Sequence, residues 1–405
     1  MKKLIRSMLI CSKRSDVILS ITIYALLIFG LIVSTSAGIN AKSTMASTFR
    51  DFARYLIVVV LSVVFYHLAS NYFNINRFGV SRMYRLIAVE FILLIAAVVI
   101  SNEKLFGPIN GNYSWIHIPG IPFTFQPSEL GKIVVILMIA VFFCDKRYKG
   151  ITRSLDVVGR PLLVYFGFIA IIFFLQKDLG SAFVVAAIGL IVFLIPSHKL
   201  LRGWQICILV MMVGAVGGYI FLLSEGGQQF LTKIGLSHVA ARFLAVTNPS
   251  YTSDATREIF YSLLGISKGS LFGVGLGNSV QKFGYLVSSE ADYIFAILAE
   301  ELGLIGILAV FAGYGFMLYR LLHFARLVRK ESEKAVLVGC ASYLFIHFFL
   351  NVGGVSGLIP LTGVPLLLIS RGGSALWSIM IALGMSQGVI HNYRTEKAEK
   401  RSLIA

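Results

Sequence analysis

Residues 288–322 read SSEADYIFAILAEELGLIGILAVFAGYGFMLYRLL. From Asp292 onward this is an apolar run long enough to cross the ~30 Å hydrocarbon of a bilayer as a helix. Glu290 and Asp292 stand at its mouth, and Glu300 and Glu301 lie inside it. A charged side chain at mid-membrane costs about 2.5–3.5 kcal/mol on insertion scales, so acids placed there need partners or a task.

The rest of the chain fits the same solvent. Of 405 residues, 57% are hydrophobic and only 14% charged, with a mean hydropathy of +0.83; soluble domains carry nearer a quarter charged. Ten apolar segments have spanning length: 17–36, 52–71, 84–101, 129–145, 161–175, 178–196, 203–223, 292–322, 334–352 and 365–389. The fold class expected is an all-α polytopic membrane protein in one domain. The fifth and sixth spans are parted only by Gln176 and Lys177, which predicts a tight hairpin. The net charge of +17 is not the mark of a nucleic-acid binder. With the N-terminus inside, segments 1–16, 72–85, 145–160, 197–202, 320–334 and 390–405 face the cytoplasm and hold 24 of the 36 Lys and Arg residues. That is the positive-inside bias, and it places both termini in the cytoplasm. The basic start runs into a full-length span, unlike the shorter apolar core of a cleaved signal. Cys11, Cys144, Cys207 and Cys340 fall in the tail or in spans, with neither a disulfide framework nor zinc spacing.

The unusual residues gather on the outer face. One connection is long: residues 224–291, between the seventh and eighth spans, form a large extracellular loop. It contains FLTKIGLSHVAARFLAV (230–246), whose spacing predicts an interfacial helix, and GISKGSLFGVGLGNSVQKFGYL (265–286), rich in glycine but without a P-loop ending. A second outer loop, 102–128, ends in QPSELGK (126–132). Asp292 reads two ways: a first-turn acid serving free helix amides, or a general base made more basic by burial at the interface. Glu300 and Glu301, about 12 Å further along the helix, read as a structural polar network or an ion path. Glu129 and Lys132 share one helix face, either as an ion pair that seats the helix or with Lys132 holding a phosphate. Lys177 and Asp178 suit turn chemistry or a polar cavity. Arg371 is a lone cation among apolar residues, simplest as a snorkelling side chain, and Trp115 is simplest as an interfacial aromatic.

Together these blocks resemble the SEDS family (shape, elongation, division and sporulation). Asn351, five residues, Gly357, Pro360, Gly363 and then LISRGGSA from 368 look like its pattern N-x5-G-x-x-P-x-x-G…S-Y-G-G-S-S. WIHI, QPSELGK, QKDLGSA, GVGLGNSVQKFGYL and DYIFAILAEELG follow in the family's order, over roughly residues 17–390. LGNSVQK looks more like the cell-division branch, FtsW, than the elongation branch, RodA. By this resemblance Asp292 falls on the family's essential acid, Trp115 on its extracellular tryptophan, Glu129 and Lys132 on its paired charges, and Asp178 on the acid of the fifth-to-sixth hairpin. Val287 and Ser288 depart from the usual Pro-Glu, Glu290 stands where His or another polar residue is common, and Arg371 replaces the usual Tyr.

The resemblance implies a peptidoglycan glycosyltransferase that polymerises lipid II during septal cell-wall synthesis. It also implies a class B penicillin-binding protein and other divisome membrane proteins as partners. One base suffices when the leaving group is already a diphosphate, and cations must steady that group. Asp292 is the expected base. Lys132, Arg242, Lys268 and Lys282 are the candidate diphosphate cations. Trp115 joins them as a candidate substrate-binding residue, and Glu129, Asp178, Glu300, Glu301, Asn351 and Arg371 are assigned to structure. A divalent cation, Mg or Mn, could assist, though no dedicated metal cage is visible. The rival readings are a lipid II flippase or other transporter, and an inactive scaffold that only binds its partner.

Overall fold

The structure is a computed structural model and describes residues 15–39, 43–102, 105–109, 111–117, 124–144, 153–250 and 254–403. The basic tail as far as residue 14 and the basic segment 145–152 lie outside the described residues. The helices are α1 (Val17–Ala37), α2 (Met45–Tyr72), α3 (Val80–Ile100), α4 (Pro127–Phe142), α5 (Ser154–Ala170), α6 (Leu179–Val192), α7 (Arg202–Leu223), α8 (Glu225–Lys233), α9 (Ser237–Thr247), α10 (Asp254–Lys268), α11 (Ile294–Leu327), α12 (Glu331–Val355) and α13 (Gly373–Ser402). Each of the ten expected spans overlaps a helix, although the last, expected from 365, is irregular until Gly373, and eight of the helices are long and apolar enough to cross a membrane. The other two, α4 with 16 residues and α6 with 14, are shorter.

The shorter helices are the inner ones. Nearly every residue of α4 from Pro127 to Val141 is buried, as expected of a helix that is apolar all round. It is enclosed by α3, α6, α12 and α13. Outside it, α13 lies along α2 through two glycines spaced as G-x-x-x-G, Gly384 and Gly388. A Cβ on Gly384 would overlap the Tyr66 carbonyl oxygen, and one on Gly388 would stand 2.9 Å from that of Phe73. Between apolar helices in lipid, such backbone approach is a main source of packing energy. Gly384→Val is therefore expected to lower stability by about 1–3 kcal/mol, read as a drop in the melting temperature of the purified protein in detergent. An unchanged melting curve would show that this contact carries no packing energy.

The start of α1 and the later part of α13 meet at one end of the bundle. The buried Asp16 carboxylate accepts from Arg320 Nε at 2.7 Å and Nη2 at 2.8 Å, and Arg394 Nη1 donates to the Ser15 carbonyl at 2.7 Å. Gln387 on α13 accepts from the Asp16 amide at 2.7 Å and donates to its carbonyl at 2.9 Å. The start of α1 is thus pinned to α11 and α13 by charge-assisted bonds.

Two segments depart from expectation. The stretch 230–246 is not one helix: α8 and α9 are separated at Gly235, whose φ of +82° suits glycine. More consequentially, α11 is not continuous. At 34 residues it would be about 51 Å long, well beyond the bilayer core, and it breaks at Gly303 (φ 62°, ψ −156°). The loop after α10 fills the break. Val274 and Gly275 amides donate to the Glu300 and Glu301 carbonyls, while Leu304 and Ile305 amides donate to Ser270 and Leu271 carbonyls, at 2.9–3.3 Å. Irregular backbone at membrane depth persists only when every freed group is paired like this. The part beyond the break, 304–327, is long enough to span by itself. Glu300 and Glu301 therefore sit at its end and not in its middle: Ser36, one residue from the end of α1, donates to Glu301 at 2.6 Å.

Candidate active site

The end of the bundle opposite Asp16 holds a cavity of about 530 Å3. Its walls come from α4, α6, α9, α10, α12, the start of α13, the outer residues Ile109, Asn112, Trp115 and Gln126, and two irregular segments, 288–293 before α11 and 359–372 before α13. The irregular segments are tied together. Asn351 Nδ2 donates to the carbonyls of Asp292 and Val364, both at 2.9 Å. Ser370 Oγ donates to the Ala291 carbonyl at 2.7 Å, and the Arg371 amide donates to the Glu290 carbonyl at 2.9 Å. Asp292 is thus placed by α12 and the 364–371 segment as much as by its own helix.

The Asp292 side chain is half-buried at the cavity wall. Its carboxylate takes no hydrogen bond or ion pair among the described residues, so it is not an occupied helix cap. Gly363, with φ +70°, lies against it: a Cβ there would stand 3.8 Å from Oδ2. Burial, helped by the negative charges of Glu258 and Glu290, pushes the Asp292 carboxyl up from about 3.8 to about 6. Glu258, on α10, accepts from the Tyr293 hydroxyl at 3.1 Å and faces the same cavity.

The floor is a buried polar chain. Lys132 Nζ donates to Glu129 Oε1 at 2.5 Å and lies 3.0 Å from His347 Nε2. Tyr343 donates to Glu129 Oε2 at 2.7 Å. His347 Nδ1 is 3.2 Å from the Pro365 carbonyl, which assigns the proton to Nδ1 and leaves Nε2 to accept from Lys132. Beside it Asp178 caps α6, accepting from the Ser181 amide at 3.0 Å and from Gln126 Nε2 at 2.6 Å. Trp115 lines the mouth, its carbonyl held by Ser101 Oγ at 2.7 Å.

The cavity gathers Asp292, Trp115, Glu129, Lys132, Asp178, Arg242 and Arg371. It does not gather Lys268, exposed at the end of α10, or Lys282. Lys282 is buried 2.8 Å from Glu301 Oε1, because its loop is tucked against the α11 break. Glu300 accepts there from Ser279 Oγ at 2.5 Å and from the Val280 and Gln281 amides at 3.2 and 3.3 Å. The cavity also holds Glu258 and His347, which the sequence blocks do not mark. A histidine inside an apolar span is the signal that points to His347; Glu258 lies on an ordinary amphipathic helix and gives none. Among the described residues no three His, Cys, Asp or Glu side chains gather to hold a metal ion.

An all-helical, multi-pass membrane protein with an unpartnered acid on the wall of a polar cavity is the class that this fold and site define. The chain belongs to the FtsW/RodA/SpoVE family of cell cycle proteins, which it matches over residues 17–395. It is 35% identical over 328 residues to the probable peptidoglycan glycosyltransferase FtsW of Bacillus subtilis, covering 77% of this chain and 76% of that one. It is 29% identical over 391 residues to the probable peptidoglycan glycosyltransferase FtsW of Halothiobacillus neapolitanus, covering 94% and 87%. In fold it is similar to a chain from a peptidoglycan synthase complex that coordinates polymerization and crosslinking (TM-score 0.66, 21% identity, 93% of this chain and 98% of that chain). It is also similar to the rod shape determining protein RodA of Thermus thermophilus (TM-score 0.58, 23% identity, 93% and 97%). The protein is a multi-pass component of the bacterial plasma membrane.

Proposed function

We infer that this protein is a peptidoglycan glycosyltransferase that polymerises lipid II in septal wall synthesis, with Asp292 as its base. The observation that carries the reading is the half-buried, unpartnered Asp292 carboxylate on the wall of the polar cavity. With both termini in the cytoplasm, residues 224–291 form the outer loop and the cavity opens outward, where a lipid-linked sugar keeps its tail in the bilayer. Asp292 removes the proton from the 4-hydroxyl of one N-acetylglucosamine. That oxygen forms the new bond to the anomeric carbon of the other substrate. The bond to the diphosphate breaks on the opposite side, its electron pair leaves with the phosphate oxygen, and the configuration inverts. Arg242 and Lys132 are the cavity cations nearest in kind to the departing charge. Lys132 is shared between Glu129 and His347 and so supplies a fixed field more than a free hand. The partner proposed is a class B penicillin-binding protein, with other divisome membrane proteins around the pair.

The test is to supply labelled lipid II to the purified complex and resolve glycan chains by length. Absence of polymer with transport of lipid II between leaflets would establish the carrier reading instead. A pH profile adds a sharper check. Only the ionised carboxylate accepts a proton, so below about pH 6 the rate is expected to fall about tenfold per unit. A rate that stays flat down to pH 5 would remove Asp292 from the role.

A further inference from the structure

Glu90 lies at the middle of α3 and takes no part in the mechanism above. The buried stripe of that helix is Met83, Ile87, Glu90, Leu94 and Ala97, so Glu90 is the one ionisable group on an otherwise apolar seam. It is 2% exposed. Among the described residues its Oε1 meets no hydrogen-bond partner, and no cation stands within ion-pair distance. The carboxyl lies against α4 at Gly131, where an added Cβ would stand 3.0 Å from Oε1 and press on it. An acid at this depth is costly unless something partners it.

Other buried oxygens near the same seam lack partners too. Ser128, one turn outward of Gly131 on α4, is fully buried with its Oγ unpaired. Gln176, in the turn between α5 and α6, donates Nε2 at 3.0 Å to the carbonyl of Leu94, which is one turn outward of Glu90 on α3. Its amide nitrogen is thus engaged, and its Oε1, an acceptor, is buried and unpaired. The Tyr113 amide donates to the Gln176 carbonyl at 2.9 Å. The next residue, Ser114, is again buried with a free Oγ, and Trp115 follows at the mouth of the large cavity. Unpaired oxygens therefore step inward from the outer face to Glu90. Buried polar atoms are nearly always satisfied, by protein, water or an ion. A proton on Glu90 neutralises the acid but leaves the Gln176 oxygen as it was. A cation that takes carboxylate, amide and hydroxyl oxygens answers both, and a single carboxylate matches a single charge.

We propose that Glu90, Gln176 and Ser128 hold a monovalent alkali cation, sodium or potassium, which enters from the outer face past Ser114. The cation ties α3 to α4 in place of the ion pair that Glu90 lacks. The site backs the cavity floor, since Gly131 adjoins Lys132 in α4, but it lies outside the transfer chemistry and does not rest on the polymerase reading.

The test uses the full chain in detergent at pH 8 and fixed ionic strength, with choline replaced by sodium in one series and by potassium in another. The wild type is expected to gain about 2–5 °C in melting temperature, saturably, with the cation that fits. Glu90→Gln is expected to lose that response and to melt no lower than wild type in choline, because an amide carries no charge to neutralise. Radiolabelled sodium, or rubidium in place of potassium, is expected to bind once per chain in the wild type and not in Glu90→Gln. Gln176→Leu and Ser128→Ala are expected to weaken it about tenfold, and they carry the test if the glutamate variant does not fold. The infrared band of a protonated carboxyl that is lost in Glu90→Gln should also fade when the cation is added to wild type. Equal melting in choline, sodium and potassium would overturn the site. So would full cation binding by the Glu90 variant, or a carboxyl band that cations leave unchanged, which would make Glu90 a protonated acid satisfied by water alone.

Discussion

Asp292→Asn is expected to stop glycan polymerisation, by about 10²–10⁴-fold, in a protein that folds and melts at a higher temperature than wild type. The two effects share a cause. Burial and the neighbouring Glu258 and Glu290 raise this carboxyl to about 6, so the folded protein holds the proton more tightly than the unfolded chain does. Stability present below about pH 4 is lost as the pH rises to about 6. At neutral pH the ionised group then costs about 3 kcal/mol, at ~1.4 kcal/mol per unit. Asparagine cannot ionise and removes that cost. It keeps the shape beside Gly363, and it leaves the Asn351 bond untouched because that bond reaches the Asp292 backbone. Thermal unfolding in detergent and lipid II polymerisation, measured on the same preparation, check both halves. Normal polymer from the variant would sink the assignment. Lost activity with a lowered melting temperature would make Asp292 a structural residue.

The second large effect is on stability alone. Lys282→Met is expected to cost about 3–5 kcal/mol, because it leaves the Glu301 carboxylate buried without its cation. Adding Glu301→Gln should recover much of that loss, since a neutral amide can keep the bond from Ser36 Oγ. Turnover per folded molecule should be unchanged in both variants, as Lys282 does not line the cavity. The sequence-based expectation of a diphosphate cation predicts the reverse: a folded protein with poor turnover. Melting curves and activity normalised to folded protein separate the two.

The sequence carried the helices because their signal is local. Length and hydropathy mark each span, and the density of Lys and Arg marks the sides. The ordered blocks from WIHI to LISRGGSA carried the family, and with it most of the cavity's residues. What it could not carry is contact between distant segments. Lys132 and Lys282 read alike as cations beside apolar runs, yet one meets the cavity and the other is locked on Glu301. The difference arises at Gly303, where one glycine turns an apparently straight helix aside and admits the 270–275 loop. Glu258 stayed hidden for a related reason: on α10 it is one polar residue on an amphipathic helix, and only the fold turns it towards Asp292. Snorkelling accounts for the depth of Arg371 but not for its place on the cavity wall, where it has no ion pair among the described residues.

The enclosed α4 has a consequence for how the chain is made. Its buried charges, Glu129 and Lys132, end up bonded to Tyr343 and His347, residues the ribosome supplies some two hundred positions later. Until α12 emerges, the helix must wait in the bilayer without them. The three-residue spacing that joins Lys132 to Glu129 lets each neutralise the other within a single turn. The segment thereby carries its own counterion through biogenesis, and the later helices take up a pair that is already formed.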